Sequence, residues 1–138
     1  MKAVLGIDFG KKRIGTAINF SDMAEPLEVV ANEFQSAEQP VSLAALQRLR
    51  EICQERRIEQ LVVGVSEQEM AGYSSHFGQI LAQETNLPVA FVDETLTSRE
   101  VAQRLLESGA SLQKRQGPID HFAAALILEA WLDQANLG

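Results

Sequence analysis

The sequence contains few of the residues that build disulfides, zinc sites or stacked aromatic surfaces. Its 138 residues include one cysteine, two histidines, one tyrosine and one tryptophan. The single cysteine, Cys53, excludes an internal disulfide and indicates a reducing compartment. It lies on the apolar stripe of a predicted helix, where we expect an inert thiol. His76 and His121 stand far apart in sequence, and their spacing does not match a zinc site.

Positive charge and long hydrophobic runs are also scarce. The formal net charge is −7, which argues against non-specific binding of nucleic acid over the whole surface. It does not exclude a local row of basic residues. The longest apolar run, residues 122–128, is far too short to span a bilayer, and no signal peptide is recognisable. We therefore expect a cytoplasmic protein without a membrane partner. The length predicts a single domain over residues 1–138.

The chain is organised around an apolar strand that ends in a carboxylate. Residues 2–8 lack polar alternation, which is typical of a strand buried on both faces. Asp8 ends this strand, Gly10 follows, and a second strand-like run spans residues 13–20. The pattern predicts a hairpin with an acid at its root, and burying that acid is costly unless a cation or hydrogen bonds meet it. An Asp in a simple turn is the alternative at this position.

Periodicity along the rest of the chain predicts an α/β fold. Three strands with short connections favour an antiparallel meander, and strands joined through helices favour parallel neighbours of strand 1. The sheet is therefore mixed and five-stranded, with three antiparallel strands plus two parallel ones and helices on both faces. The predicted strands are 2–8, 13–20, 27–34, 61–65 and 89–92, and the predicted helices start near Ser42, span 74–84, start at a capping box at 97–100, and span 119–132.

Two details complete this prediction. Residues 21–26 are expected to form a polar turn and residues 66–73 a polar loop. The first helix carries one apolar stripe that should face the core, made of Leu43, Leu46, Leu49, Ile52 and Cys53.

Carboxylates stand at the ends of predicted apolar elements at three places in the chain. Asp8 ends strand 1, Asp93 and Glu94 end strand 5, and Asp120 opens the last helix. Ligands of an open α/β sheet gather outside the carboxyl ends of its parallel strands, so these acids should meet at one edge. Carboxylates crowd together only around a counter-charge, and their hard oxygens suit Mg²⁺ or Mn²⁺. Two such ions support phosphodiester cleavage.

Each acid also has a simpler interpretation. Asp120 alone is typical of an N-cap, and Asp93 with Glu94 fits a solvated strand-to-helix turn. The basic residues favour the functional interpretation, because half of the twelve Lys and Arg lie beside these acids in sequence and suit a phosphate backbone. They are Lys11, Lys12, Arg13, Arg99, Lys114 and Arg115. Ordinary surface solubilisation is the alternative. Phe9 and Tyr73 are the aromatic residues expected to be exposed, too few for base-specific reading of a single strand.

Three segments together resemble the signature blocks of the YqgF/RuvX family. They are residues 6–17 (GIDFGKKRIGTA), residues 93–98 (DETLTS) and residues 119–128 (IDHFAAALIL). The resemblance extends over essentially the whole chain, in order and at similar spacing. Members are Holliday-junction-resolvase-like proteins, also described as pre-16S rRNA nucleases. The resemblance implies an RNase H-like fold, a divalent metal and hydrolysis of nucleic-acid phosphodiesters. Carried over by position, the catalytic and metal-binding acids are Asp8, Glu94 and Asp120, with Asp93 as a helper or a structural cap.

The chain departs from the family pattern after the fourth strand. A Leu-Pro followed by an Asn-Met-Asp-Gly-rich loop is usual there, whereas this chain has Ser66-Glu67-Gln68-Glu69-Met70-Ala71-Gly72. Thr95 also replaces the usual basic or aromatic residue after Asp-Glu. Both changes concern the grip on substrate more than the metal site.

Three functions are consistent with the sequence. The first is a metal-dependent nuclease, which would process the 5′ end of pre-16S rRNA in ribosome biogenesis or resolve branched DNA in recombination and repair. The second is a catalytically weak relative that binds RNA or a protein. The third is an ATP-binding domain of the actin/hexokinase type, which is disfavoured because such proteins close two domains around the nucleotide. Symmetric junction cutting calls for a homodimer, whereas maturation of an RNA end is open to a monomer.

Overall fold

The computed structural model describes residues 2–20, 23–65, 69–93 and 119–137, and these form one five-stranded sheet with helices on both faces. We number the elements in chain order within this part of the chain. The strands are β1 (Val4–Asp8), β2 (Arg13–Phe20), β3 (Met23–Ala31), β4 (Gln60–Val65) and β5 (Val89–Asp93), and the helices are α1 (Leu43–Glu55), α2 (Glu69–Thr85) and α3 (Ile119–Leu137).

The strand order β3-β2-β1-β4-β5 confirms the predicted topology. The first three strands are antiparallel neighbours, and β1, β4 and β5 are mutually parallel. The apolar β1 lies in the middle of the sheet, and its first four residues are buried. A strand covered on both faces gains from apolar side chains at every position, which explains why this segment shows no polar alternation.

Two hydrophobic cores lie on opposite faces of the sheet. On one face, Leu5 and Ile7 of β1 pack with α1 residues such as Leu49 and α2 residues such as Phe77. On the other face, Val4 and Val62 pack with α3. The buried residues that α3 contributes to this core include Ala124, Ala125, Ile127, Leu128 and Leu132. The prediction of helices on both faces of the sheet is therefore confirmed.

The first helix begins where the sequence predicts. Ser42 is its N-cap, and its hydroxyl accepts a hydrogen bond from the backbone N–H of Ala45. Leu49, Ile52 and Cys53 are buried as expected. Leu43 is not part of the buried stripe, since it is 84% exposed. Leu43 is the first residue of α1, and the buried stripe that covers the sheet begins in the turns that follow.

Two segments that were predicted as a turn and a loop belong to regular elements, and β3 ends at Ala31 instead of residue 34. Residues 23–26 belong to β3 and not to a turn, although they include Pro26. An edge strand accommodates proline because one side of its backbone needs no partner, and β3 is an edge strand. Residues 69–73 belong to the first turns of α2 and not to a loop. Tertiary packing of α2 against β4 outweighs the weak helical pattern of this polar segment.

Cys53 is buried, in agreement with the prediction of an inert thiol. Burial raises the pKa of the Cys53 thiol to about 11, so the thiol stays protonated at neutral pH. Within the described ranges, no helix has the length and apolar character needed to cross a membrane. The predicted helix that starts at residues 97–100, and the basic loop at 110–118, lie outside the described residues.

Candidate nucleic-acid-cleaving site at the carboxyl edge of the sheet

The carboxyl ends of three parallel strands meet at one edge of the sheet. Ile7 of β1 is paired with Val63 of β4, and Val65 of β4 is paired with Asp93 of β5. Asp8 and Asp93 therefore end their strands at nearly the same level, with β4 between them. Neighbouring strands are about 4.8 Å apart, so the backbones of these two residues are about 10 Å apart.

Asp8 lies between glycines in the sheet. Its partner in β2 is Gly15, and the residue of β4 at its level is Gly64, which follows Val63. Residues directly opposite each other in a sheet share a face, and neither Gly15 nor Gly64 has a side chain to place beside Asp8. Asp8 is half-buried at the end of a buried strand.

The same face of the sheet is covered by α3, the helix that carries Asp120. A Cβ atom built on Gly6 would lie 3.0 Å from the carbonyl oxygen of Ala124 and 2.7 Å from Cβ of Leu128, so Gly6 faces α3 at close range. Asp8 is two residues beyond Gly6 and therefore points to the same face. Asp120 lies in the first turn of α3, about one turn or 6 Å before Ala124.

Asp93 lies on the opposite face from Asp8. Val92 belongs to the core beneath α3, whereas Phe91 contacts the position of Gly78 on α2. Because successive residues of a strand alternate, Asp93 points to the α1/α2 side, where its side chain is exposed. Its role as a helper remains a prediction, and its position makes it the least suited of the predicted acids to share a ligand with Asp8.

Only part of the predicted site falls within the described residues. Glu94, Arg99, Lys114 and Arg115 lie outside them, as does the side chain of Asp120. Among the side chains that the structure does describe, no three of His, Cys, Asp and Glu come together as a metal site. The carboxylate of Asp8 is half-buried, and carboxylate oxygens are the kind of hard donor that Mg²⁺ or Mn²⁺ accepts.

The hairpin beyond Asp8 is held by an asparagine whose role the sequence did not reveal. Asn32 is 6% exposed, and its amide nitrogen donates to the carbonyl oxygens of Gly10 (2.9 Å) and Pro40 (3.1 Å). Its side-chain oxygen accepts from the backbone N–H of Ser42 at 2.8 Å. Asn32 thereby joins the hairpin tip to the start of α1. The sequence predicted a strand over residues 27–34 and no such role for Asn32, because alternation does not register contacts with distant segments.

Replacing Asn32 with alanine should lower the free energy of unfolding by about 2–3 kcal/mol, because buried carbonyl and N–H groups would lose their partners. Urea unfolding followed by far-UV circular dichroism measures this loss. Asn19→Ala is the matched control, since that side chain also bonds two backbone groups but is only half-buried, at the other end of β1. An Asn32→Ala loss no greater than that of Asn19→Ala would contradict the assignment.

The cations of the hairpin tip are exposed, but the aromatic residues differ from the prediction. Lys11, Lys12 and Arg13 are exposed at the tip. Phe9 is buried and stacks on Phe77, with ring centroids 4.8 Å apart, so the expectation that it is exposed was wrong. Tyr73 is half-buried, and it packs against Phe34.

Two further surface features involve none of the predicted site residues. Arg48 bonds Glu28 at 2.8 Å and Glu51 at 3.2 Å, which ties α1 to β3 and raises the pKa of the guanidinium above its usual value. A surface groove includes Ile58 and Leu87, which precede β4 and β5 and so mark the amino edge of the sheet. The groove therefore lies at the amino edge of the sheet, whereas Asp8 lies at the carboxyl edge.

Comparison with known sequences identifies one family over almost the whole chain. Residues 2–134 match the RuvX family, described as Holliday junction resolvase. A protein of Dechloromonas aromatica (strain RCB) is 37% identical over 144 residues, which cover 99% of this chain and 94% of its own length. A protein of Cutibacterium acnes is 38% identical, covering 97% of this chain and 84% of its own length. Both carry the provisional name pre-16S rRNA nuclease.

Solved structures share the fold at low sequence identity. RuvC of T. thermophilus in complex with a Holliday junction substrate superposes with a TM-score of 0.72 at 18% identity, covering 100% of this chain and 97% of RuvC. The yeast mitochondrial Holliday junction resolvase Ydc2 gives a TM-score of 0.55 at 14% identity, covering 99% of this chain and 82% of Ydc2. The fold is RNase H-like, as the sequence predicted.

Proposed function

The chain belongs to the RuvX family, and we propose that it is a metal-dependent nuclease that hydrolyses phosphodiester bonds of structured nucleic acid. The substrate we favour is the 5′ end of pre-16S rRNA, in agreement with the names of relatives that are 37% and 38% identical. The observation that carries the proposal is Asp8, a half-buried carboxylate between two glycines at the carboxyl edge of the sheet, on the face covered by α3.

We propose that Asp8, Glu94 and Asp120 hold Mg²⁺ or Mn²⁺. When bound, such ions supply charge stabilisation and a more acidic water for hydrolysis. The protein's part is to bring oxygen ligands from a strand end and a helix start to one place. The close contact of Gly6 with Ala124 and Leu128 supports this for Asp8 and Asp120, because it fixes β1 against α3.

The basic residues complete the proposal. Lys11 and Lys12 are exposed at the tip of the hairpin whose root is Asp8, where they can pair with phosphates of the substrate. We propose the same role for Arg13, Arg99, Lys114 and Arg115. We also propose that the protein works in the cytoplasm without a membrane partner, as a monomer or homodimer.

Cleavage assays test this function directly. The purified chain is offered a pre-16S rRNA 5′ leader and a four-way DNA junction, each with Mn²⁺, with Mg²⁺ or with EDTA. We expect cleavage that requires the added ion and favours the leader. Activity that persists in EDTA would refute metal dependence, and no cleavage of either substrate would favour a catalytically weak relative that only binds.

Resolution of branched DNA is the second candidate, because the family description is Holliday junction resolvase. It predicts that the four-way junction is cut in preference to the leader, at symmetric positions and by a homodimer. Measuring the mass in solution by light scattering, together with the cleavage pattern, separates the two functions.

A further inference from the structure

One surface at the hairpin tip has no part in the carboxylate chemistry. It consists of Lys11, Phe34 and Tyr73, which we call the ring-and-lysine surface. The ammonium nitrogen of Lys11 lies 4.8 Å from the ring centroid of Phe34 and 5.3 Å from that of Tyr73. The two ring centroids are 4.9 Å apart, and the rings are tilted by 56°. Lys11 is exposed and both rings are half-buried, so the surface faces solvent in part.

Two sets of contacts hold this surface in place. The backbone N–H of Phe34 donates to the carbonyl oxygen of Lys11 at 3.1 Å, which places these two residues side by side. Tyr73 lies on α2 one turn before Phe77, and Phe77 stacks on Phe9, the residue after Asp8. The rings are therefore anchored to the strand that carries Asp8 and need no ordering when a ligand binds.

The ring-and-lysine surface lies close enough to Asp8 for a single nucleic-acid strand to contact both. Lys11 is three residues beyond Asp8, so their Cα atoms are at most about 11 Å apart. Asp8 points to the α3 face, whereas Tyr73 lies on the α2 side. A strand that crosses the carboxyl edge of the sheet beside the hairpin tip would reach both. At about 3.4 Å per stacked nucleotide, the separation is at most about three nucleotides.

The geometry points to a binding site for an unpaired nucleotide of the substrate strand, in which Tyr73 stacks on the base and Lys11 pairs with its phosphate. This assignment rests on the proposed function, since it concerns the substrate of the same edge. An exposed ammonium over a ring is held weakly, so it is free to pair with a phosphate when one arrives. Stacking on a ring needs an unpaired base and tolerates any base, because each base has a π-face.

A single fluorine label reports on this site without any cleavage. Tyr73 is the only tyrosine of the chain, so growth with 3-fluorotyrosine gives one ¹⁹F signal from this surface. The label is placed in Asp8→Asn protein, which leaves the nucleic acid uncut. We expect the signal to shift saturably with a ten-nucleotide single-stranded oligoadenylate, and a blunt duplex of the same length to require at least fivefold higher concentration for the same shift.

Affinities measured by fluorescence anisotropy complete the test. Tyr73→Leu should weaken binding of the single strand about tenfold, which equals about 1.4 kcal/mol, whereas Tyr73→Phe keeps the ring and should bind normally. Lys11→Gln should weaken binding several-fold and lower the dependence on salt by about one charge. Lys2→Gln is the matched control, an exposed lysine at the opposite end of β1 that should leave both quantities unchanged.

Two results would overturn the assignment. The first is a ¹⁹F signal that does not move with single strand. The second is a Tyr73→Leu protein that melts earlier but binds as tightly as the parent, which would mean that the rings only stabilise the hairpin. A shifted signal in a chain that cuts neither the leader nor the junction would refute the proposed nuclease and leave this binding site standing.

Discussion

An Asp8→Asn protein is expected to cleave its substrate at least about 10³-fold more slowly than the parent, while folding and binding nucleic acid normally. Asparagine has nearly the same shape but lacks the charge that holds a hard cation. Bound ions stabilise the transition state by several kcal/mol, and about 4 kcal/mol corresponds to 10³ in rate. Single-turnover cleavage with Mn²⁺ measures the loss, and anisotropy with the uncut substrate checks binding.

Asp93→Asn is the control for this variant. Asp93 ends β5 at nearly the same level as Asp8, but it lies on the other face of the sheet. We expect a loss of less than tenfold, the size of effect that a helper would have. Glu94→Gln and Asp120→Asn should behave like Asp8→Asn. The metal assignment is wrong if Asp8→Asn retains a tenth of the activity, or if Asp93→Asn is as slow as Asp8→Asn.

A Gly6→Ala protein is expected to lose about 3 kcal/mol of unfolding free energy and roughly 10 °C in Tm. The added methyl would lie 2.7 Å from Cβ of Leu128 and 3.0 Å from the carbonyl oxygen of Ala124. Neither atom is the mobile end of a side chain, so α3 as a whole must move away from β1. Cleavage should fall as well if Asp8 and Asp120 share a metal ion as we propose, because this contact fixes β1 against α3.

Gly72→Ala is the matched substitution for this experiment. Gly72 lies in α2, and a Cβ added there meets nothing within 4 Å. Alanine is the better helix former, so we expect a gain of about 0.5–1 kcal/mol in urea unfolding. If Gly6→Ala unfolds at the same urea concentration as the parent, the contact between β1 and α3 is looser than described, and the placement of Asp120 near Asp8 loses its support.

Local sequence predicted most of the sheet and failed where a distant segment decides the outcome. The apolar run of β1, the hairpin to β2 and the N-cap at Ser42 depend on neighbouring residues, and all were found where expected. Pro26 was assigned to a turn because nothing in its neighbourhood shows that its strand lies at the edge of a sheet. Phe9 was expected to be exposed because its partner, Phe77, is 68 residues away.

By itself, the sequence determined the family, the order of the elements and the carboxylates that end them. The family follows from the resemblance of three segments, and the order of the elements follows from hydrophobic period and turn residues, which are properties of short segments. Only the tertiary structure decided that Asp8 stands between two glycines, that Asp93 faces the other way, and that Asn32 and Phe34 support the hairpin tip. Strand register and the packing of helices set these relationships, because they bring together residues that no local pattern connects.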